Sequence, residues 1–269
     1  GGKRVIKATS TLVPLMGVIY ISVAFILTLM HIDLLPAVVG NIFSEAFDFA
    51  AIFGGFAGSC MMFGIKRGLY SNEAGVGSAP NAAAAADVSH PVKQGLVQML
   101  SVFIDTLLIC TATAFMCLSS GIEPTKELAG APYVQAALAA SMGEYAKLFI
   151  TVSMVLFAFT TLLGNLYYVD NAFAYVLKRI PGKTFTLCYR ILACVLIFVG
   201  AGSSMGTMWD LADVTMGFMA IINLPVICIL GAPALRALDD YVEQRDVGKN
   251  PVFKASKIGI EQKLDYWQD

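Results

Sequence analysis

Long runs of apolar residues recur along the chain, and short polar segments separate them. A bilayer core about 30 Å thick needs about 20 apolar residues for each helical span. Such runs predict six transmembrane helices, A to F, at roughly 11–30, 36–65, 95–120, 144–177, 187–205 and 209–231. Helices B and D exceed the length of a span, so each is expected to be tilted, broken or extended beyond the lipid. The pattern predicts an all-α integral membrane protein with a transmembrane domain over 1–238.

The basic residues between these runs predict how the chain is oriented in the lipid bilayer. All but Lys126 and Lys147 of the 18 Lys and Arg residues fall on one side of the predicted topology. Because Lys and Arg are enriched in cytoplasmic loops, both termini of this multi-pass protein are expected in the cytoplasm, and the cell (inner) membrane is its expected location. The polar segment 239–269 is expected to be a solvated cytoplasmic tail.

Composition excludes several functional classes. Hydrophobic residues make up 57% of the chain and charged residues 14%, whereas soluble domains carry about 25% charged residues. A soluble enzyme, a nucleic-acid-binding protein and a disordered linker are therefore excluded. The chain has two histidines and no Ser/His/Asp or HExxH arrangement, so we expect neither an enzyme nor a bound cofactor. The six cysteines lack C-x-x-C spacing and are expected to be small buried hydrophobic residues.

Predicted helix B contains the segment Gly54-Gly55-Phe56-Ala57-Gly58 near its middle. Glycine weakens a helix by about 1 kcal/mol relative to alanine, and it lets backbone groups approach a small ligand closely. One interpretation is close packing between helices through small residues. The other, favoured by the extra length of helix B, is a helix broken at mid-depth, where its backbone lines a cavity.

Predicted helix D carries Thr160 and Thr161 at its centre, followed by Gly164 and Asn165. Hydroxyl and amide oxygens are hard ligands of the kind that suit a dehydrated Na⁺. The alternative for the two threonines is that their hydroxyls bond back to the preceding helical turn. Asn165 needs partners for both ends of its amide, so it is expected to face an interior or a cavity.

Predicted helix C carries an ionisable residue, Asp105, near mid-depth. A charged group there costs at least about 2.5 kcal/mol on membrane-insertion scales, so it is expected to face a partner or a pathway. Its candidate roles are cation ligand, proton carrier or ion-pair partner. The structural alternative is a neutral Asp105 that is hydrogen-bonded to a neighbouring helix.

Several strings closely resemble the alanine/glycine:cation symporter family of bacteria and archaea. The loop between helices B and C reads RGLYSNEAGVGSAP (67–80), and HPVKQGLVQMLSVFIDT (90–106) follows it. FAFTTLLGNLYY (157–168) and the closing pattern NPVF (250–253) with DYW (265–267) agree with the same family. The resemblance extends over nearly the whole chain.

The resemblance implies a LeuT-like fold of two inverted five-helix repeats with a binding site at the membrane midplane. This chain resembles the C-terminal part of such a transporter, with helix B as its discontinuous sixth helix. Residues implied in substrate binding are Gly54, Gly55, Phe56, Thr161 and Asn165. Residues implied in sodium binding are Thr160 and Thr161, with Asp105 at a second cation site.

The implied activity is the coupled uptake of Na⁺ and a small neutral amino acid, alanine or glycine, by alternating access. Three other functions stay open on the residues alone. The first is a complete six-helix channel, which conducts without coupling, and the second is the membrane subunit of a multi-chain importer. A membrane enzyme is the third, and the sequence offers few catalytic groups for it.

Overall fold

The computed structural model describes residues 2–50, 52, 60–125, 128, 130–261, 264 and 267, with side chains from residue 9 onward. Helices form most of this part of the chain, and no strand occurs in it. The prediction of an all-α fold is therefore confirmed for the residues described.

Long apolar helices dominate the structure. Five of those described are long and apolar enough to cross a membrane: Thr9–Met30, Pro91–Leu118, Glu144–Leu177, Lys183–Ala201 and Met205–Asp246. They fall on predicted helices A, C, D, E and F. The first is the apolar part of a longer helix, Gly2–Met30. Shorter helices, Ala79–Ala83 and Ala131–Met142, lie in the connections between them.

The stretch predicted as helix B differs from one helix over 36–65. The helix Leu35–Ala46 ends at Phe47, whose backbone leaves the helical region at φ −113° and ψ 27°. A second helix, Cys60–Ser71, follows. The first of them has 12 residues, fewer than the about 20 that a span requires. Residues 53–59 lie outside the described residues, so a break at the glycines stays a prediction.

The chain divides into two compact units, and the first comprises Gly1–Asn72 and Phe103–Asp170. Its core forms where helices Gly2–Met30, Thr111–Leu118 and Ala131–Met142 meet the start of Glu144–Leu177. The buried side chains of this core are Tyr20, Ala24, Leu27, Met116, Leu138, Ala146 and Ile150. The Tyr20 hydroxyl lies 2.9 Å from the Thr113 hydroxyl, so the one polar group of this core has a partner.

The helix Pro91–Leu118 is irregular at its middle. Between Pro91–Ile104 and Thr111–Leu118, the segment Asp105–Cys110 is π-helical. A π-helical turn inserts an extra residue into the helical repeat, and such turns occur frequently at functional sites. Asp105 is the first residue of this segment.

The second unit comprises Glu73–Val102 and Asn171–Asp269. Its longest element is the 42-residue helix Met205–Asp246. The Ser204 side chain caps this helix by accepting a hydrogen bond from the Thr207 N–H at 3.2 Å, which satisfies one of the free donors of the first turn. The helix continues past residue 231, the predicted end of helix F, and through the predicted domain boundary at 238.

The segment 239–269 was predicted to be a solvated tail, and most of its described residues are exposed, although several side chains are buried. Beyond Asp246, the chain folds back onto the helix Met205–Asp246. Four side chains are buried together there: Ala237, Phe253, Ala255 and Ile258. The prediction rested on the polar composition of the segment. Composition alone does not show that its few apolar residues pack together in one small core.

His90 is fully buried beside this core. Its Nδ1 accepts a hydrogen bond from the Val92 N–H at 3.2 Å, so the ring proton resides on Nε2, which donates to Asp240 at 3.3 Å. The ring also contacts Tyr241 and Phe253, with centroids 5.2 and 5.1 Å away. The imidazole is therefore neutral, and each of its nitrogens has a partner.

Asp240 connects His90 to the end of the chain. Its carboxylate also accepts hydrogen bonds from the Gln244 amide at 2.9 Å and from the Lys257 ammonium. Gln244 in turn pairs with both backbone groups of Val252, at 2.9 and 3.0 Å. We call His90, Asp240, Gln244, Phe253 and Lys257 the C-terminal cluster.

Candidate functional site

The structure describes some of the predicted site residues, and those that it describes fall on two helices of the first unit, Pro91–Leu118 and Glu144–Leu177. Gly54, Gly55 and Phe56, predicted to line a substrate pocket, lie outside the described residues. Asp105, Thr160, Thr161 and Asn165 are described. Their roles in binding stay predictions, and the structure shows where each side chain lies.

Asp105 is hydrogen-bonded to the end of a neighbouring helix. The Ser71 hydroxyl donates to its carboxylate at 2.6 Å, and Ser71 is the last residue of Cys60–Ser71. One residue further along both segments, the Thr106 hydroxyl donates to the Asn72 side-chain oxygen at 3.0 Å. These two bonds place a carboxylate among hydroxyl and amide oxygens at the π-helical segment, an arrangement with the chemistry to hold a proton or a cation.

Thr160 is buried, and its hydroxyl bonds to its own helix. The hydroxyl donates toward the backbone oxygens of Leu156 and Phe157, both at 3.0 Å. This is the back-bonded geometry that the sequence left open as an alternative to cation binding. A hydroxyl has one proton and two lone pairs, so the Thr160 oxygen retains lone pairs that are able to face a cation.

Thr161 and Asn165 are both exposed. They are separated by one helical turn, so they lie on one face of the helix Glu144–Leu177. This face differs from that of Thr160, because successive residues are rotated by about 100° around the helix axis. The helix therefore presents a hydroxyl and an amide on the same side.

The structure gives Asp105 and Thr160 different partners. Asp105 bonds to Ser71, and Thr160 bonds to its own helix. Among the described residues, no group of three or more His, Cys, Asp or Glu side chains is placed to hold a metal ion. A cation site built from the described predicted residues would thus rest on hydroxyl and amide oxygens with a single carboxylate.

Asn223 makes a polar contact that we did not predict from the sequence. It lies in the helix Met205–Asp246, and its side-chain amide donates to the backbone oxygen of Gly75 at 3.0 Å. Between Thr215 and Arg236 it is the only residue with a charged, amide or hydroxyl side chain. That isolation in an apolar run is the signal by which it could have been found.

Electrostatics in the C-terminal cluster favour a neutral histidine. Burial lowers the pKa of His90 below its usual 6.5, although the hydrogen bond to Asp240 acts in the opposite direction. Lys93 and Lys257 also disfavour a second positive charge there. The hydrogen bond to Asp240 raises the pKa of Lys257. These groups therefore hold one another in place.

Comparison with known proteins decides the family. The sequence model of the Sodium:alanine symporter family matches residues 1–255. The chain belongs to the sodium:alanine symporter family. The resemblance drawn from the sequence strings is thereby confirmed.

Curated relatives extend this result. The amino-acid carrier protein AlsT of Bacillus subtilis is 42% identical over 269 residues, which cover 100% of this chain and 57% of AlsT. The probable sodium/glutamine symporter GlnT of the same organism is 41% identical, over 99% of this chain and 55% of GlnT. The sodium/alanine symporter AgcS of Methanococcus maripaludis is 40% identical, over 91% and 54%. The chain thus spans about half the length of the curated relatives it matches.

Membership in the sodium:alanine symporter family fixes the broad class of the chain. These relatives are named as carriers and symporters, in agreement with the prediction of transport and not of an enzyme. A transporter family and several apolar helices together make this a multi-pass membrane protein. The names of these relatives differ in the amino acid, alanine for AgcS and glutamine for GlnT, so the substrate is a separate question.

Proposed function

We propose that the chain serves sodium-coupled symport of small neutral amino acids, alanine and glycine, by alternating access. The observation that carries this proposal is the family match over residues 1–255. Since the chain spans about half of its relatives' length, the activity is proposed for a transporter to which this chain contributes that part. The proposed location is the cell membrane, with both termini in the cytoplasm and a LeuT-like arrangement of inverted repeats.

The described residues support a division of roles. The hydroxyl oxygens of Thr160 and Thr161 are proposed to bind Na⁺, and the Asp105 carboxylate a second cation. Thr161 and Asn165 share one helix face and are proposed to contact the amino acid, together with the glycine segment 54–56. One charge that crosses a potential of 100 mV supplies about 2.3 kcal/mol, which is enough to concentrate a neutral substrate severalfold.

A second substrate class is favoured by one relative. GlnT, 41% identical to this chain, is named as a probable sodium/glutamine symporter. A methyl-sized pocket would reject glutamine on steric grounds, whereas pockets discriminate between alanine and glycine by only about 1–3 kcal/mol. Competition by glutamine therefore separates the two substrate classes.

The test is uptake of labelled alanine by proteoliposomes that contain the complete transporter, with and without an inward Na⁺ gradient. Symport of small amino acids predicts uptake only with the gradient, competition by glycine and none by glutamine. Strong competition by glutamine would shift the substrate to the larger class. Uptake that ignores the Na⁺ gradient would contradict symport and favour a channel.

A further inference from the structure

Asn223 lies near the middle of the most apolar stretch of the second unit. Along the helix Met205–Asp246, it is 14 residues from Trp209 and 13 from Arg236, about 20 Å from each at 1.5 Å per residue. An amide at that depth needs a hydrogen-bond partner, because hydrocarbon offers none. The partner is the backbone of a segment far away in the sequence.

That segment, residues 73–78, is here called the glycine loop. The Gly75 backbone oxygen accepts the hydrogen bond of Asn223, and Gly77 approaches the same side chain. A Cβ atom at Gly77 would lie 3.0 Å from the Asn223 amide. Gly75 and Gly77 have φ values of +78° and +87°, which side chains disfavour. Glycine is therefore required at both positions by contact and by conformation.

The glycine loop is also closed by a bond of its own. The Ser78 hydroxyl donates to the Glu73 carboxylate at 2.6 Å, and Glu73 has a positive φ of 50°. Val76, between the two glycines, is buried. The loop is thus compact and non-helical, and it lies against the middle of an apolar helix.

The residues just before the loop, in the first unit, bond far from the start of the helix Pro91–Leu118. Ser71 and Asn72 bond to Asp105 and Thr106. Asp105 is 14 residues beyond Pro91, the start of the helix, or about 20 Å along its axis. The basic residues that flank the loop in the sequence, Arg67 and Lys93, both belong to the predicted cytoplasmic side.

We propose that the glycine loop is a re-entrant loop that Asn223 holds at the middle of the membrane, where it lines the transport path. Irregular backbone at this depth is tolerated only where it is buried in protein or lines a water-filled cavity. Asn223 is accordingly a positioning residue that acts through the Gly75 backbone. The part of this proposal that concerns the path rests on the proposed transport function, whereas the depth of the loop does not.

The depth of the glycine loop is tested by a distance between two spin labels in the complete transporter with its native cysteines replaced. Ala74 and Asp246 are both exposed and are converted to labelled cysteines. A loop at the level of Asn223 lies 23 residues from Asp246, so we expect about 35 Å. A loop at the membrane surface beside Arg236 would give about 15 Å, and this result would overturn the proposal.

The role of Asn223 is tested by the same distance in two variants. Asn223→Leu removes the donor to Gly75, so the distance distribution should broaden. Thr215→Val is the matched control, because the Thr215 hydroxyl bonds only to backbone oxygens of its own helix, at Leu211 and Ala212, in the bonds described for it. A distribution equally narrow in both variants would overturn the assignment of Asn223.

The contact with the transport path is tested by labelling Ala74→Cys with a water-soluble thiol reagent. We expect the cysteine to be labelled, and we expect Na⁺ and alanine together to slow the rate of labelling at least severalfold. Asn223→Leu should abolish this protection by the substrate, whereas Thr215→Val should retain it. Absence of labelling, or labelling that substrate leaves unchanged in a protein that takes up alanine, would overturn the path assignment. Absence of Na⁺-driven uptake contradicts the proposed function alone, because the spin-label distance still reports the depth of the loop.

Discussion

The C-terminal cluster and the polar residues of the helix Glu144–Leu177 are two polar regions in an otherwise apolar chain. In the cluster, three side chains converge on the Asp240 carboxylate, those of His90, Gln244 and Lys257. On the helix, Thr160 bonds to its own backbone, and Thr161 and Asn165 are exposed. The two regions therefore use polar groups in opposite ways.

The difference separates a structural network from a set of side chains for which we propose a role in binding. A buried carboxylate that is fully hydrogen-bonded ties together segments distant in sequence, and its loss leaves several donors without an acceptor. Exposed hydroxyl and amide groups contribute little to the fold, which is compatible with the binding role that we propose for them. Mutations in the first region should change stability, and mutations in the second should change ion dependence.

The largest effect is expected from Asp240→Ala. The substitution removes the acceptor shared by three side chains, so the stability of the protein should fall by about 2–3 kcal/mol. Thermal unfolding of the purified transporter measures this loss as a lower Tm. Asp239→Ala, at an exposed neighbour on the same helix, is the control and should leave Tm nearly unchanged. Equal Tm values for the two variants would contradict a structural role of the cluster.

A large effect on ion dependence is expected from Thr160→Ala combined with Thr161→Ala. Loss of hydroxyl ligands worth about 1.4 kcal/mol raises the Na⁺ concentration for half-maximal alanine uptake about tenfold. Uptake at graded Na⁺ concentrations measures this shift. Ser153→Ala removes a hydroxyl from the same helix and should leave the Na⁺ dependence as it is. An unchanged dependence in the double variant would remove the sodium assignment.

A smaller effect is expected from Asp105→Asn. The amide keeps the size of the side chain and its ability to accept from Ser71, but it removes the negative charge. We expect the half-maximal Na⁺ concentration to rise about threefold, since a partly exposed charge is screened by solvent. Asp210→Asn, near the start of the helix Met205–Asp246, serves as the carboxylate control. If both variants behave like the parent, Asp105 has no part in cation binding.

The smallest effect is expected from pH. Because burial places the pKa of His90 below its unfolded value of 6.5, the unfolded chain binds this proton at a higher pH than the folded chain does. The stabilisation from neutral His90 is therefore complete above pH 6.5 and is lost as the pH falls below it. Tm measured from pH 8 to 5 should decrease slightly at the acidic end. His90→Gln should flatten this decrease and His31→Gln should not, and the opposite pattern would contradict the assignment.

Sequence patterns predicted the elements whose signal is local. Five apolar runs were predicted as helices because each supplies the about 20 apolar residues that a span requires. All five form long helices in the structure. The long extension to Asp246 was missed, since Arg236 and Asp239 read as the end of a membrane span. Helical propensity and the bonds of the C-terminal cluster carry the helix beyond that point.

Contacts between distant residues could not be predicted from the sequence. The bond between His90 and Asp240 joins residues 150 positions apart, and that between Asn223 and Gly75 joins residues 148 apart. Neither pair has a local pattern that names its partner. For Thr160, the sequence allowed two interpretations, a cation ligand or a hydroxyl bonded to its own helix. The structure shows the bond to the helix, and the oxygen retains lone pairs, so the role in cation binding stays a prediction.

The division between a structural network and a binding surface is decided by Na⁺-dependent alanine binding measured side by side on two purified variants. For Thr160→Ala with Thr161→Ala, we predict that the Na⁺ concentration for half-maximal alanine binding rises about tenfold while the Tm stays unchanged. For Asp240→Ala, we predict a lower Tm and, in the protein that remains folded, an unchanged Na⁺ dependence. The reverse pattern, with the threonine variant destabilised and the Asp240 variant altered in its Na⁺ dependence, would contradict this account.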